Sequence, residues 1–272
     1  QKYLTIFFLK TEMIDLPKNL KDFDIDIQYP FTIFEKKNLF EDTFFNKLLN
    51  EFPSEGYFKN VHTLGNKKYF NNNDKDFNEF LNTSSTWNKF YNHLNSKKFL
   101  NEIFNLCKDN LKRIEQRKQI KTIKINNKSN NNLFDKFLRK IKKGFGVYET
   151  RLAFEFSIMK NGSYIPPHND TSNKLISLMI YFPDSTQKGE VSLGTNFFKN
   201  SKKNLDIWKG DMLDEKNTKI FFENYEKFYT SKFEKNKIVG FIKSKNSWHD
   251  VSKIHTKSSS RKSLNINLYL IN

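Results

Sequence analysis

Near residue 146 the spacing of the hydrophobic residues changes, and no other feature restricts the fold of this chain as much. Before that point apolar side chains recur at helical intervals. Phe44, Phe45, Leu48, Leu49 and Phe52 follow one helical face and are stopped by Pro53. Trp87, Phe90, Tyr91 and Leu94 sit at i, i+3, i+4 and i+7. Ser96 then stands where it would cap a further helix carrying Phe99, Leu100, Ile103, Phe104 and Cys107. After residue 146, Leu152, Phe154, Phe156 and Ile158 alternate with Arg151, Ala153, Glu155 and Ser157, which is the period of a strand. Strand-like runs follow at 175–182, 191–198, 238–242 and 263–270. A mainly helical part (1–145) followed by a strand-rich part (146–272) predicts the α+β class, with helices packed outside an antiparallel sandwich or barrel. We find no internal repeat, and 1–272 is expected to form a single domain.

The connecting stretches carry weaker signals. Residues 29–40 read as a strand entering a turn. Thr5–Leu9 reads as a first strand, being too short for a signal-peptide core and lacking a cleavage pattern. Residues 54–84 are polar and Asn-rich and are predicted to be mostly loop. Residues 112–132 are basic and Asn-rich and are predicted to be an exposed excursion. It continues to about 143 through a short basic amphipathic helix with Phe134, Phe137, Leu138 and Ile141. Such a helix is expected to lie on the domain surface; contact with an acidic partner is the sharper alternative.

Composition narrows the setting. The formal charge of +17 invites a nucleic-acid reading, but the basic residues are mostly Lys and are scattered along all 272 residues. An electrostatic footprint should cluster. With 29 Phe and 16% aromatic residues the chain is not globally disordered. One cysteine, Cys107, excludes an intrachain disulfide, fits a reducing compartment and points to a cytoplasmic location. No apolar run approaches the length of a membrane span.

The chemistry gathers in the second half. His168 and Asp170 lie two residues apart in PPHND, on one side of the chain if they sit at a strand end. That pattern alone is weak. His249 follows directly after a strand-like run in SWHDV. Arg261 opens a final strand in which Leu264, Ile266, Leu268 and Leu270 share one face and Arg261, Ser263, Asn265 and Asn267 the other. A polar inward face headed by an arginine suits a dianionic ligand, because a guanidinium grips a carboxylate through two bonds. Two imidazoles and one carboxylate leave open positions on a metal, as in the facial triad of non-haem Fe(II) oxygenases. Zinc is the competing metal. The downstream arginine favours iron, because zinc hydrolysis needs no carboxylate anchor there. Arg151, Glu155 and Ser157 share a strand face read as solvent-facing, with pocket lining as the alternative. Lys174 is expected to be exposed, Trp248 to pack beside His249, Cys107 to be core, and His62, His93 and His255 to take no part in metal binding.

The order H-x-D, a long gap, a distal His and an Arg-x-Ser strand resembles the Fe(II)/2-oxoglutarate dioxygenase superfamily, in particular its prolyl-hydroxylase-like branch. FSIMKNGSYIPPHNDTSNKLISLMIYFP resembles the metal-binding hairpin of that family, GTNFF a strand soon after it, and FEKNKIVGFIKSKNSWHDV the approach to the distal His. YPFTIFEKKNLFEDTFFNKLLNEFP resembles the opening strand and helix. The resemblance implies a double-stranded β-helix (jelly roll) core with N-terminal supporting helices. It implies Fe(II) held by His168, Asp170 and His249, with 2-oxoglutarate and O2 as co-substrates. Arg261 would pair with the far carboxylate of 2-oxoglutarate, with Ser263 as a weaker helper, from a strand adjacent to that of His249. The implied reaction is hydroxylation with release of succinate and CO2, on a small molecule, a sugar or a protein side chain. KGEVSLGT departs from the Gly-Gly pattern usual after the hairpin, and 199–235 forms a long gap, a lid or plain surface. An oxidative demethylase of nucleic acid is not favoured, since the strand after Arg261 lacks that group's second arginine. A non-catalytic jelly-roll binding module would not be expected to retain all four positions.

Overall fold

The structure is a computed structural model, and it describes residues 14, 16–126, 132–184, 190–202, 212–255 and 260–271. In chain order the first part contributes strands β1 (Ile25–Ile27) and β2 (Ile33–Lys37), helix α1 (Asp42–Asn50) and strands β3 (Asn60–Val61) and β4 (Lys68–Asn71). Helices α2 (Phe77–Thr83), α3 (Ser85–Leu94) and α4 (Lys97–Lys112), strand β5 (Thr122–Ile125) and helix α5 (Leu133–Gly144) follow. The second part contributes β6 (Val147–Met159), β7 (Ile165–His168), β8 (Lys174–Tyr181), β9 (Glu190–Asn200), α6 (Glu215–Asn224), β10 (Tyr225–Phe233), β11 (Lys237–Ile242), β12 (His249–Val251) and β13 (Arg261–Leu270).

The strands from β6 onward pair from the outside inward. β6 pairs with β13, β7 with β12, β8 with β11 and β9 with β10, all antiparallel. The further pairs β13–β8 and β12–β9 join these into two sheets. The small sheet has the order β10-β9-β12-β7. The large sheet contains β11-β8-β13-β6, extended by β2 and β1 beyond β11 and by β4 and β3 beyond β6. β5 runs parallel to the start of β6.

Alternation explains how β6 and β13 serve two cores at once. Leu152, Phe154, Phe156, Ile158, Leu264, Ile266 and Leu268 face the helices and share a core with Phe45, Leu48, Trp87, Phe90, Phe99 and Ile103. Trp87 is fully buried, with its ring 4.7 Å from that of Phe156 at 80°. Each such side chain contributes about 1.5–3 kcal/mol by leaving water. The opposite face of the large sheet packs on the small sheet through Phe31, Ile33, Met179, Phe197, Phe241 and Val251. The helices therefore brace one sheet from behind and leave the space between the sheets for the site. The helix starts follow the capping logic: Ser84 Oγ accepts from Trp87 N at 3.1 Å, and Ser96 Oγ from Phe99 N at 3.2 Å.

Two sequence expectations need correction, and a third needs refinement. Residues 54–84 are largely loop and turn, as expected, but carry short buried elements. β4 adds to the large sheet, and Phe77, Phe80 and Leu81 of α2 are buried. These elements are short, and the Asn-rich turns between them mask the period. Residues 112–126 are not an exposed excursion. Ile120 and Ile123 enter the core, and Arg117 is buried, donating to the backbone oxygens of Ser172 and Lys174. The basic composition hid this, because only a few side chains of the segment point inward. In the long gap before 235, β10 is a strand whose alternation is broken by register shifts between Lys227 and Tyr229 and between Ser231 and Phe233. The expected strand at Thr5–Leu9, and 188–189 of KGEVSLGT, lie outside the described residues.

Candidate metal centre and anion site

β7 and β12 are neighbours in the small sheet, and their register sets His168 opposite His249. The two ring centroids are 4.1 Å apart. β7 ends at His168, so strand alternation does not place Asp170. A turn does: Asp170 has φ 66°, a left-handed conformation that Asp tolerates better than most residues. The turn brings its carboxylate between the rings. Oδ1 lies 3.8 Å from His168 Nε2 and Oδ2 lies 3.8 Å from His249 Nε2. Arg117 braces the backbone of this turn from behind.

Hydrogen bonds decide which nitrogen each ring offers. His168 Nδ1 lies 3.0 Å from the Pro166 carbonyl oxygen, and His249 Nδ1 lies 2.9 Å from that of Ser247. A carbonyl only accepts, so Nδ1 carries the proton and the Nε2 lone pair faces Asp170. Burial, reinforced by the neighbouring His249, pushes His168 down to about 3, and burial lowers His249 as well. Both rings are therefore neutral at ordinary pH, the form in which an imidazole can ligate a metal. Burial alone would raise the Asp170 pKa. Lys174, whose Nζ lies 2.7 Å from Oδ1, and the two imidazoles overcome it and hold the carboxyl well below its usual range. Asp170 Oδ2 is buried without a hydrogen-bond partner. The three ligand atoms lie within 4.8 Å of one another. Two neutral nitrogens and an ionised carboxylate with an orphaned oxygen fit a divalent cation.

These residues form one wall of a cavity of about 240 Å³ between the sheets. Arg261 lies in the same cavity and is 2% exposed. Its Nε donates to the Leu193 carbonyl at 2.7 Å, Nη1 to Ser263 Oγ at 3.2 Å and Nη2 to Thr195 Oγ1 at 3.4 Å. The Tyr181 ring centre is 5.2 Å from the guanidinium carbon. Among the described residues no carboxylate pairs with Arg261. A buried unpaired charge costs several kcal/mol, so this is where an anionic ligand would be most strongly stabilised. Ser263 Oγ also lies 2.8 Å from Ser157 Oγ, which fixes the hydroxyl beside the guanidinium. Glu155, bonded to the buried Lys67 and to Asn265 Nδ2, lines the cavity with Asn267 and Tyr269.

The structure thus brings His168, Asp170, His249 and Arg261 to one cavity, with Ser263 directly behind the guanidinium. Other expectations fail. Arg261 does not sit on a strand adjacent to that of His249; β13 and β12 belong to opposite sheets, and the residues face each other across the interior. Lys174 is not exposed: it is buried at the head of β8, where the ion pair of its Nζ with Asp170 offsets the loss of water. The face of Arg151, Glu155 and Ser157 is solvent-facing only at Arg151, which is exposed over the Tyr269 ring at 4.9 Å. Glu155 and Ser157 line the cavity. His62 also lines it, outside the metal cluster. Cys107 is core, as expected, whereas Trp248 packs on Phe221 and Tyr225 and the neighbouring His249 ring meets Phe197 and Phe241 instead. Lys67, Thr195 and Tyr181 were not singled out from the sequence. The alternation of GTNFF, with Thr195 opposite in phase to Asn196, was the available signal for Thr195; nothing local marked Lys67.

No protein-family model and no curated protein sequence matches this chain. Solved structures of similar shape exist at low identity. A prolyl-4-hydroxylase from Pseudomonas putida is 10% identical with a TM-score of 0.48, over 89% of this chain and 95% of that one. The non-haem α-ketoglutarate-dependent epimerase SnoN of nogalamycin biosynthesis is 11% identical with a TM-score of 0.47, over 87% and 78%. A prolyl hydroxylase from Trichoplax adhaerens, in complex with a hypoxia-inducible-factor peptide, is 11% identical with a TM-score of 0.43, over 87% and 83%. At these values the likeness assigns neither substrate nor activity to this chain.

Proposed function

We propose that this chain is an Fe(II)- and 2-oxoglutarate-dependent dioxygenase that hydroxylates a substrate and releases succinate and CO2. The observation that carries the proposal is the buried, carboxylate-free Arg261 in the same cavity as the His168–Asp170–His249 cluster. A hydrolytic zinc site accounts for the cluster and leaves the arginine without a task. The outside-in strand pairing also suits a jelly roll, in which the space between the sheets is the natural place for a ligand.

In this reading His168 Nε2, His249 Nε2 and an Asp170 oxygen would hold Fe(II). Bound there, the iron would supply the oxidative decarboxylation of 2-oxoglutarate and the C–H oxidation. The chain's own residues do the rest. The Pro166 and Ser247 carbonyls fix the two rings in the ligating tautomer. Lys174 keeps the Asp170 carboxylate charged and oriented. Arg261 takes the far carboxylate of 2-oxoglutarate, with Ser263 and Thr195 holding the guanidinium in place. The polar wall of Glu155, Lys67 and Asn265 is left to face the substrate.

The test has two arms. Calorimetry under nitrogen should show 2-oxoglutarate binding to the Fe(II)-loaded chain. Under air, succinate should form with Fe(II) and 2-oxoglutarate, rise with a productive substrate, and disappear in His168→Ala. A chain that holds metal tightly but binds no 2-oxoglutarate sinks the proposal in favour of metal-assisted hydrolysis.

A further inference from the structure

Helix α5 is mounted with its apolar side outward. Leu133, Phe137, Ile141 and Phe145 follow one another four residues apart along the helix and its C-cap, with Phe134 beside them. They are 86%, 60%, 44%, 71% and 67% exposed, in that order. These five are half of the ten large apolar side chains exposed among the described residues. Arg139, on the opposite side of the helix, is 5% exposed. This inverts the usual arrangement, in which the apolar stripe of a surface helix faces the core. The helix is nonetheless well fixed. Asn132 Oδ1 caps it by accepting from Asp135 N at 2.7 Å, and Lys142 bonds to Glu149 of β6. A contiguous exposed apolar ridge on a soluble fold marks an interaction surface.

We propose that α5 docks the protein on an anionic lipid surface, lying in the plane of the interface with its phenylalanines in the acyl boundary. Charge points to this occupant. Of the basic residues of α5, Lys136 and Lys140 are exposed and Lys143 is half-buried, against one acid, Asp135, while Arg139 is buried behind the helix and Lys142 is paired with Glu149. Lys136 and Lys140 are exposed beside the ridge, where their heads reach lipid phosphates while the phenylalanines insert. Shape points the same way. The ridge is the convex crest of one helix, which a fluid lipid interface receives without a preformed groove. A second copy of the chain would bring a formal charge of +17 against +17. No helix of the described residues is long and apolar enough to cross a membrane, so the contact is with the surface. The inference does not depend on the oxygenase reading.

The test uses the full chain with sedimentable vesicles of phosphatidylcholine, alone and mixed with phosphatidylserine. The wild-type chain should partition onto the mixed vesicles, more weakly as salt rises and much less onto phosphatidylcholine alone. Phe134→Ser together with Phe137→Ser should lower the partition coefficient by about tenfold or more, since each ring loses its burial. Lys136→Glu with Lys140→Glu should remove most of the preference for phosphatidylserine. All four side chains are exposed, so unchanged melting temperatures should accompany these losses. Phe137→Trp should blue-shift in fluorescence on the mixed vesicles. A wild-type chain that stays in solution overturns the proposal, as does binding untouched by the phenylalanine pair. Dimer formation or single-stranded RNA binding through the same two phenylalanines, without vesicle binding, also overturns it.

Discussion

Arg261 is a charge held where water cannot compensate it, and its Nε is already committed to the Leu193 carbonyl. The two terminal nitrogens meet only hydroxyls and a thioether among the described residues, so they are the free hand of the side chain. Arg261→Ala should therefore weaken 2-oxoglutarate binding about ten- to hundredfold, the loss of a charge-assisted pair worth ~1.5–3 kcal/mol. Mn(II) binding at the cluster should stay within about twofold, measured by titration calorimetry. Equal loss of both would make Arg261 structural. His168 makes a pH prediction. An unfolded histidine takes a proton near the ordinary imidazole value of 6.5, whereas the fold holds His168 to about 3. Between those values the unfolded chain binds more protons, so stability falls as pH falls, by up to about 1.4 kcal/mol per unit from this residue. His249 acts in the same direction, and Asp170, also depressed, adds a loss only below about pH 4. The urea midpoint of the metal-free chain should drop between about pH 6.5 and about pH 5; a flat profile would contradict the buried neutral rings.

At the scale of elements, β11 shows how tightly the large sheet is packed against its helices. Gly240 pairs with Phe34 on one side and Leu178 on the other, and a Cβ there would meet the Phe34 ring at 2.2 Å. Gly240→Ala should cost ~1–3 kcal/mol by overpacking, read as a lower denaturation midpoint at unchanged slope. Phe34→Leu added to it should recover part of that loss, whereas a purely additive loss would mean that the ring is not what the methyl meets. The same tightness explains which elements could be read in advance. α1, α3, α4, β6 and β13 each bury one complete face, so their periods are clear in the residues. β4 and β5 bury only a few side chains each, and β10 is bulged, so no sustained period marks them.

For the molecule as a whole, the candidate metal cluster joins segments far apart in the chain. His168 and His249 belong to the small sheet, and Asp170 lies on the connection that crosses to β8 of the large one. The unfolded chain holds no such cluster, so metal should stabilise the fold by mass action, about 2.7 kcal/mol at a hundredfold excess over its dissociation constant. The melting temperature should rise with Mn(II), return with chelator, and not respond in His249→Ala. A shift of equal size in that variant would place the metal elsewhere.

The α+β division, the main core faces and the candidate residues His168, Asp170, His249 and Arg261, which the fold brings to one cavity, could be read from the chain alone. Period and residue chemistry are local properties, and a triad with a downstream arginine keeps its order whatever lies between. The sequence could not show that Arg261 approaches from the sheet opposite His249, or that Lys174 is buried against Asp170. Nor could it show that Lys67 reaches Glu155 across 88 residues of chain, or that α5 turns its phenylalanines outward. Those depend on which strands pair and which helix face meets the sheet. Pairing and packing are set by contacts between distant residues, and no local pattern encodes them.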